Sequence, residues 1–220
     1  MEFRHLSEGR RVTKPSLDED ELEPGPSSFS GEIDLDLVRV AGGDCAGSRG
    51  HGAVTRSIVS DVDLTGATLS PLTVSDSRFT GVDLSNASIQ QANLRRTEWL
   101  RLRAIGLRMA VDRLEDGYFE GVRFDYATIH IERVKGLAVF QQCSFREAEI
   151  RGDLSGVVFD QCELTGVRFT ARAANGTDLT TSRLDGALGL LSLRGARITT
   201  TQALSIAVQL AAEAGLSVEH

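Results

Sequence analysis

The sequence is poor in aromatic anchors and in the punctuation of catalysis. Its 220 residues include one Trp, two Tyr and two Met. No apolar run approaches the roughly 20 residues that cross a bilayer, so no membrane association is expected. The opening MEFRHLSEGRR has no apolar core of the kind a secretory signal requires, and a cytoplasmic protein is expected. Three cysteines, Cys45, Cys143 and Cys162, show no CxxC pairing and are too few for a disulfide framework. No nucleotide-binding glycine loop, HExxH, GxSxG or cluster of metal ligands is present. The four histidines, His5, His51, His130 and His220, are scattered. Catalysis, a metal and an organic cofactor are therefore not expected.

What is present is a period. In TGVDLSNASIQQANL, residues 80 to 94, Leu84, Ile89 and Leu94 are spaced by five. A half-buried strand repeats every two residues and an amphipathic helix every three or four. Stepping by five from Leu64 through Trp99 to Val139 meets only apolar residues. The residue two before each of these is often small, as at Ala67, Ser77, Ala87, Ala92 and Gly117. VDL, ANL, VRF and TDL recur at 82–84, 92–94, 122–124 and 177–179. A fixed short period signals a solenoid, whose units bury their faces on their neighbours.

These units resemble the pentapeptide-repeat family, whose unit reads A(D/N)LXX. The resemblance covers roughly residues 33 to 198. It implies an all-β fold, a right-handed parallel quadrilateral β-helix in which four units make one coil. Residues about twenty apart should then stack in four ladders. One runs Val40, Val59, Phe79, Trp99, Phe119, Val139, Phe159, Leu179, Ile198, with Trp99 as packing. A second runs from Cys45 through Phe124 and Phe145 to Leu184. A third runs from Leu69 through Ile129 and Ile150 to Leu188, and a fourth from Leu35 through Val134 to Leu193. The count slips by one near 140–145, 150–154 and 184–188, where bulges would absorb it. Cys143 and Cys162 fall on one small inward column and read as buried packing.

The chain divides into three parts. Residues 1–32, with the acidic LDEDELEPGPSSFS, read as a flexible acidic segment. Residues 33–198 form the β-helix, with GSRGHGA (47–53) as a loop. Residues 199–220 form a C-terminal helix that caps the strand edges, with Thr residues at its start, Gly215 at its end and Leu204, Ala207, Val208 and Ala211 on one face. The resemblance adds that such helices cap the coil and sometimes mediate dimers, so a homodimer through a terminal cap is one expectation.

Charge bears on partners. The net charge of −7 lies mainly in residues 1–52, which hold 6 basic and 11 acidic side chains. Candidate contact patches are Asp61, Asp63, Asp76 and Asp83, then Glu115, Asp116, Glu120 and Asp125. Between them lies a basic belt of Arg95, Arg96, Arg101, Arg103, Arg108 and Arg113. An irregular face carries Asp112, Glu132 and Arg172. Two inward carboxylates there would be costly, and a local re-register turning Val111 and Ile131 inward is the cheaper arrangement. A rigid scaffold for an unknown protein partner is the first functional expectation. The resemblance supplies the alternative: some members bind DNA gyrase as DNA mimics and protect it from quinolones or toxins. Mimicry needs a continuous negative surface, which this patchwork does not suit. Direct nucleic-acid binding is not expected, because the belt contains Glu98 and Asp112 and exposed aromatics for stacking are few.

Overall fold

A computed structural model describes residues 2–6 and 9–218; His220 lies outside them. From Gly31 onward the chain winds as a parallel β-solenoid with short strands joined at corners. Its seven central coils can be followed through one outward column of bridges: Asp63, Asp83, Arg103, Arg123, Ser144, Glu163 and Arg183. The corners need the left-handed backbone region. Arg56, Asp76, Arg96 and Asp116 stack one coil apart with φ between 45° and 50°, and Gly136 continues the column at 71°. A positive φ strains ordinary residues. Here the next coil holds it: the Asp76 amide, for instance, donates to the Arg95 carbonyl at 2.9 Å.

The ladders fill the interior. In the first, Phe79 and Trp99 stack at 4.5 Å and Trp99 and Phe119 at 5.9 Å, so Trp99 is packing. It donates its indole N–H to Thr97 Oγ1 at 3.0 Å, which satisfies the one polar atom it brings inside. The next member is Phe140, not Val139. Phe119 pairs with Phe140 in register and stacks on it at 4.6 Å. The extra residue enters earlier than expected, between Lys135 and Ala138, where the ladder skips. Val139 therefore points outward. The final slip is also displaced: Arg168 pairs with Leu188, which leaves Leu188 37% exposed while Leu190 is buried in its place. The stretch 47–53 is not a loop. Arg49–Thr55 is a strand paired in parallel with Gly31–Asp36, and Gly50 and Gly52 are there because its backbone runs too close to Phe29 and Ile33 for a Cβ.

Both ends are covered. Phe29 is buried at the first coil, beside Gly50. At the other end Thr199 caps α1 (Thr200–Ser205) in a reciprocal box with Gln202, and α2 (Ala207–Glu213) follows directly. Gln202 Nε2 donates to the carbonyls of Leu179 and Ser182 at 2.6 and 2.7 Å, pairing acceptors on the last coils. The buried face of this cap is Ile206, with Leu210 packed beside it. The expected face is the other one: Leu204 is 75% and Val208 52% exposed. The kink at Ile206 sets this choice, because it turns that side chain into the coil's open end.

Residues 1–32 are not a free segment. β1 (Phe3–His5) and β2 (Arg11–Thr13) form an antiparallel hairpin laid on the coil. β3 (Glu23–Pro24) then pairs in parallel with Val38–Asp44. The composition suggested disorder, but the charges have partners in the coil: Glu19 meets Arg78 at 2.7 Å and Arg39 at 3.4 Å.

Candidate interaction surfaces

Stacking places each outward side chain about 4.8 Å above its counterpart in the preceding coil, where like charges repel. Along one corner the sequence answers by alternating sign, whereas the column Asp63, Asp83, Arg103 and Arg123 runs in like-signed pairs. The corner carries Arg56, Asp76, Arg96 and Asp116, and Asp36, one residue before the column's Leu37, supplies an acid to Arg56. Arg56 Nε donates to Asp36 at 3.0 Å, and Arg96 Nε donates to Asp76 at 2.6 Å. The expected acidic patches and basic belt are thus interleaved rather than separate. Asp76 is buried, held by Arg96, by Arg95 at 3.3 Å and by the Ser16 amide at 3.0 Å. Asp83 faces Arg103 at 3.8 Å and accepts from the Ser85 amide. Asp63 accepts from the Thr65 amide, and Asp61 occupies a left-handed corner, its side chain exposed.

The second expected patch is engaged in the same way. Glu115 pairs with Arg113 at 2.6 Å and with Lys135 at 3.0 Å. Asp116 accepts from the Leu137 amide, and Glu120 accepts from the Tyr118 hydroxyl. Asp125 is buried, accepting from Ser144 Oγ and the Arg146 amide. Of the belt, Arg101 and Arg108 are exposed and without an ion pair among the described residues. On the irregular face Val111 and Ile131 are buried, while Asp112 and Glu132 are exposed. Glu132 receives Arg172 at 2.9 Å and lies 3.4 Å from His130. The face holds an external ion pair spanning two coils, not an internal acidic pair.

Cys143 and Cys162 are buried thiols. Burial pushes Cys143 well above its ordinary value, and the neighbouring Cys162 adds to this. Cys162 donates to the Phe140 carbonyl at 3.2 Å. The net shift holds Cys143 away from the reactive thiolate.

The feature that sequence reading missed is a stripe on the outside of the first face. Its column runs Glu98, Tyr118, Val139, Val158 and, by a bridge, Asp178. Three of the five are apolar or aromatic, and all are buried. The hairpin buries them. Val12 packs on Tyr118, Val139 and Val158, with Leu6, Leu100 and Leu137 around it. Arg4 donates to Glu98 at 2.9 Å and lies 3.9 Å over the Tyr118 ring. Arg10 donates to Asp178 at 2.6 Å. A cleft of about 540 Å³ remains beside this contact, lined in part by Arg4, Lys14, Glu19, Arg78 and Glu98. Two adjacent valines before Phe159 and the LAVF of 137–140 were the available sequence signal: apolar residues on both sides of a strand require a cover on both.

The cover should be acid-sensitive. Burial alone would raise the Asp76 carboxyl, but the hydrogen bonds from Arg96 and Ser16 and the charges of Arg96 and Arg95 outweigh it, and the net shift is downward. Asp178 is likewise lowered: its burial is outweighed by hydrogen bonds from Thr180 and Arg10. A depressed folded value means these acids stabilise the fold fully above the unfolded carboxylate range. That contribution is lost as pH falls below about 4 and through the lower folded values. Wild type should therefore lose more stability between about pH 5 and 3 than Asp76→Asn does, as read by urea unfolding at each pH. Equal losses would remove Asp76 from the pH response.

The comparisons with known proteins follow this geometry. The family model for pentapeptide repeats matches residues 57–96 in eight copies. No curated protein matches the sequence. Among solved structures, a trypsin-treated variant of QnrB1, a plasmid-mediated fluoroquinolone resistance protein, aligns at 20% identity and a TM-score of 0.47. That alignment covers 87% of this chain and 97% of the other. HetL, a pentapeptide-repeat protein involved in heterocyst differentiation regulation in the cyanobacterium Nostoc, aligns at 13% identity and a TM-score of 0.29, over 79% and 90% of the two chains. Among the described residues no helix is long and apolar enough to cross a membrane, and no group of side chains could hold a metal ion. Residues 57–96 are pentapeptide repeats, and the parallel coil-to-coil pairing of that stretch continues on both sides of it.

Proposed function

We propose that the chain is a rigid, non-enzymatic scaffold that binds another protein in the cytoplasm. The observation that carries this reading is the coil-to-coil alternation of charge along one corner of the rod. Asp36, Arg56, Asp76, Arg96 and Asp116 neutralise one another along the rod, which leaves a rigid surface with little net field. Such a surface favours specific contacts over long-range attraction to a polyanion or polycation.

The alternative is topoisomerase binding by imitation of DNA. Supporting it is exposed acid near the N-terminal end of the rod, Glu32 and Asp34 along one strand and Asp18, Asp20 and Glu21 before it in sequence. A gyrase supercoiling and cleavage assay with and without a fluoroquinolone separates the two. The scaffold reading expects gyrase to be indifferent at about micromolar protein, an affinity of about −8 kcal/mol. Inhibited supercoiling, or relief of drug-induced cleavage, would put gyrase binding first. A homodimer through the cap is supported by Leu204 and Val208, which stand exposed near Leu191 and Ile198 in sequence at the same end. Leu204→Glu with Val208→Glu should then convert a dimer to a monomer in light scattering; a wild-type monomer would end that reading.

A further inference from the structure

We propose that the outer stripe from Glu98 to Asp178 is a peptide-docking groove, kept closed by the chain's own hairpin and open to a partner segment with arginines flanking an aliphatic residue. This rests on the scaffold reading and names the chemistry of its partner.

Three features make the stripe a groove. Tyr118, Val139 and Val158 give it an apolar floor. Glu98 and Asp178 close its ends, four coil steps or about 19 Å apart. Each end carboxylate keeps a coil partner of its own: Arg78 lies 2.9 Å from Glu98 and Arg197 lies 3.5 Å from Asp178. The acids are therefore compensated whether or not the hairpin is seated.

The hairpin behaves as a ligand that happens to be tethered. Arg4 sits at the coil of Glu98 and Arg10 at that of Asp178, so its strands run along the rod and cross the coil strands. Crossed strands cannot share a ladder. Among the described residues no backbone-to-backbone hydrogen bond joins residues 2–22 to the coil. Seating depends on side chains: two arginine contacts, Val12, Asp76 with the Ser16 amide, and Glu19 with Arg78. The fit is incomplete, since Arg4 Nε is buried without a hydrogen-bond acceptor. The tether from Lys14 to Leu22 can extend to about 30 Å, enough for the hairpin to leave while β3 stays paired. A partner presenting the same pattern, a cation at each end and an aliphatic side chain between, would meet the contacts that Arg4, Val12 and Arg10 now make.

The test uses the full chain as wild type and as the Arg4→Ala, Arg10→Ala double variant. The probe is a fluorescein-labelled synthetic peptide of residues 2–14. Trypsin cleavage after Arg11, within β2 and retained in the double variant, reports whether the hairpin has left, and circular dichroism reports the coil. The double variant should be cleaved faster with an unchanged coil spectrum. It should bind the peptide about tenfold or more tightly than wild type, whose own hairpin reduces the competent fraction. Adding Val139→Asp should abolish that binding. Unchanged cleavage would overturn the proposal, because the hairpin would then be a fixed part of the fold. So would an open groove that does not bind the peptide. Either failure leaves the scaffold reading standing on its own assay, since the peptide reports this stripe alone.

Discussion

Phe140→Ala should cost about 3–5 kcal/mol, against about 2 kcal/mol or less for Val139→Ala next to it. Phe140 is the centre of the aromatic interior. It stacks between Phe119 at 4.6 Å and Phe159 at 5.4 Å, and meets Phe124 and Phe145 edge-on at 6.0 and 5.4 Å. Truncation leaves a cavity inside a rod only one coil wide, with rigid rings on four sides that cannot collapse into it. The coils above and below depend on that interface, since each repeat is stable only on its neighbours. Val139 is just as inaccessible, but its cover is the hairpin. Its truncation should loosen the hairpin and leave the coil's urea midpoint nearly unchanged. Urea unfolding by circular dichroism with trypsin cleavage after Arg11 measures both. Larger loss at 139 than at 140 would mean the register runs as the unbroken period of five implies.

That register shows how far the sequence could be read. The period of five exposes the four ladders because inward positions tolerate only apolar or small residues. The second ladder, from Cys45 to Leu184, is buried throughout as the spacing implies. The irregular face was legible for the same reason: an inward Asp112 or Glu132 has no physical support, and Val111 and Ile131 are buried instead. A slip of one residue was legible in number but not in place. Val139 and Phe140 are both apolar, and only the skip at Lys135 to Ala138 decides between them. The hairpin was not legible at all. Its composition reads as a solvated tail because its partners, Glu98, Tyr118 and Asp178, lie far away in the chain. The helical cap was legible, but its buried face was not, for a related reason. An apolar row at helical spacing names a face but not its direction, and the kink at Ile206 turned the other one inward. The expected charge patches were assigned along the sequence, whereas ion pairing follows the twenty-residue step between coils, as in Asp76 with Arg96 and Glu115 with Lys135.

Gly152→Ala should cost about 4 kcal/mol, the sum of about 1–3 for backbone strain and about 1–3 for forced overpacking. Gly152 pairs with Ile131 below and Ala171 above, at the level where the coil drops one residue before Leu154. The backbone takes φ +99° to do so, and a Cβ there would lie 2.0 Å from the Ile131 carbonyl oxygen. The obstacle is main chain, already fixed in a ladder, so no side-chain rotation relieves it. Either the Thr128–Ile131 strand shifts or its pairing with Glu149–Asp153 breaks. Gly176 supplies the comparison: its φ is +72°, but a Cβ would meet nothing within 4 Å. Gly176→Ala should therefore cost only the left-handed penalty of about 1–2 kcal/mol. The difference between the two melting curves isolates close backbone approach from conformational freedom. Equal losses would mean that the bulge at Gly152 can relax, and that positive φ alone accounts for the glycine at both sites.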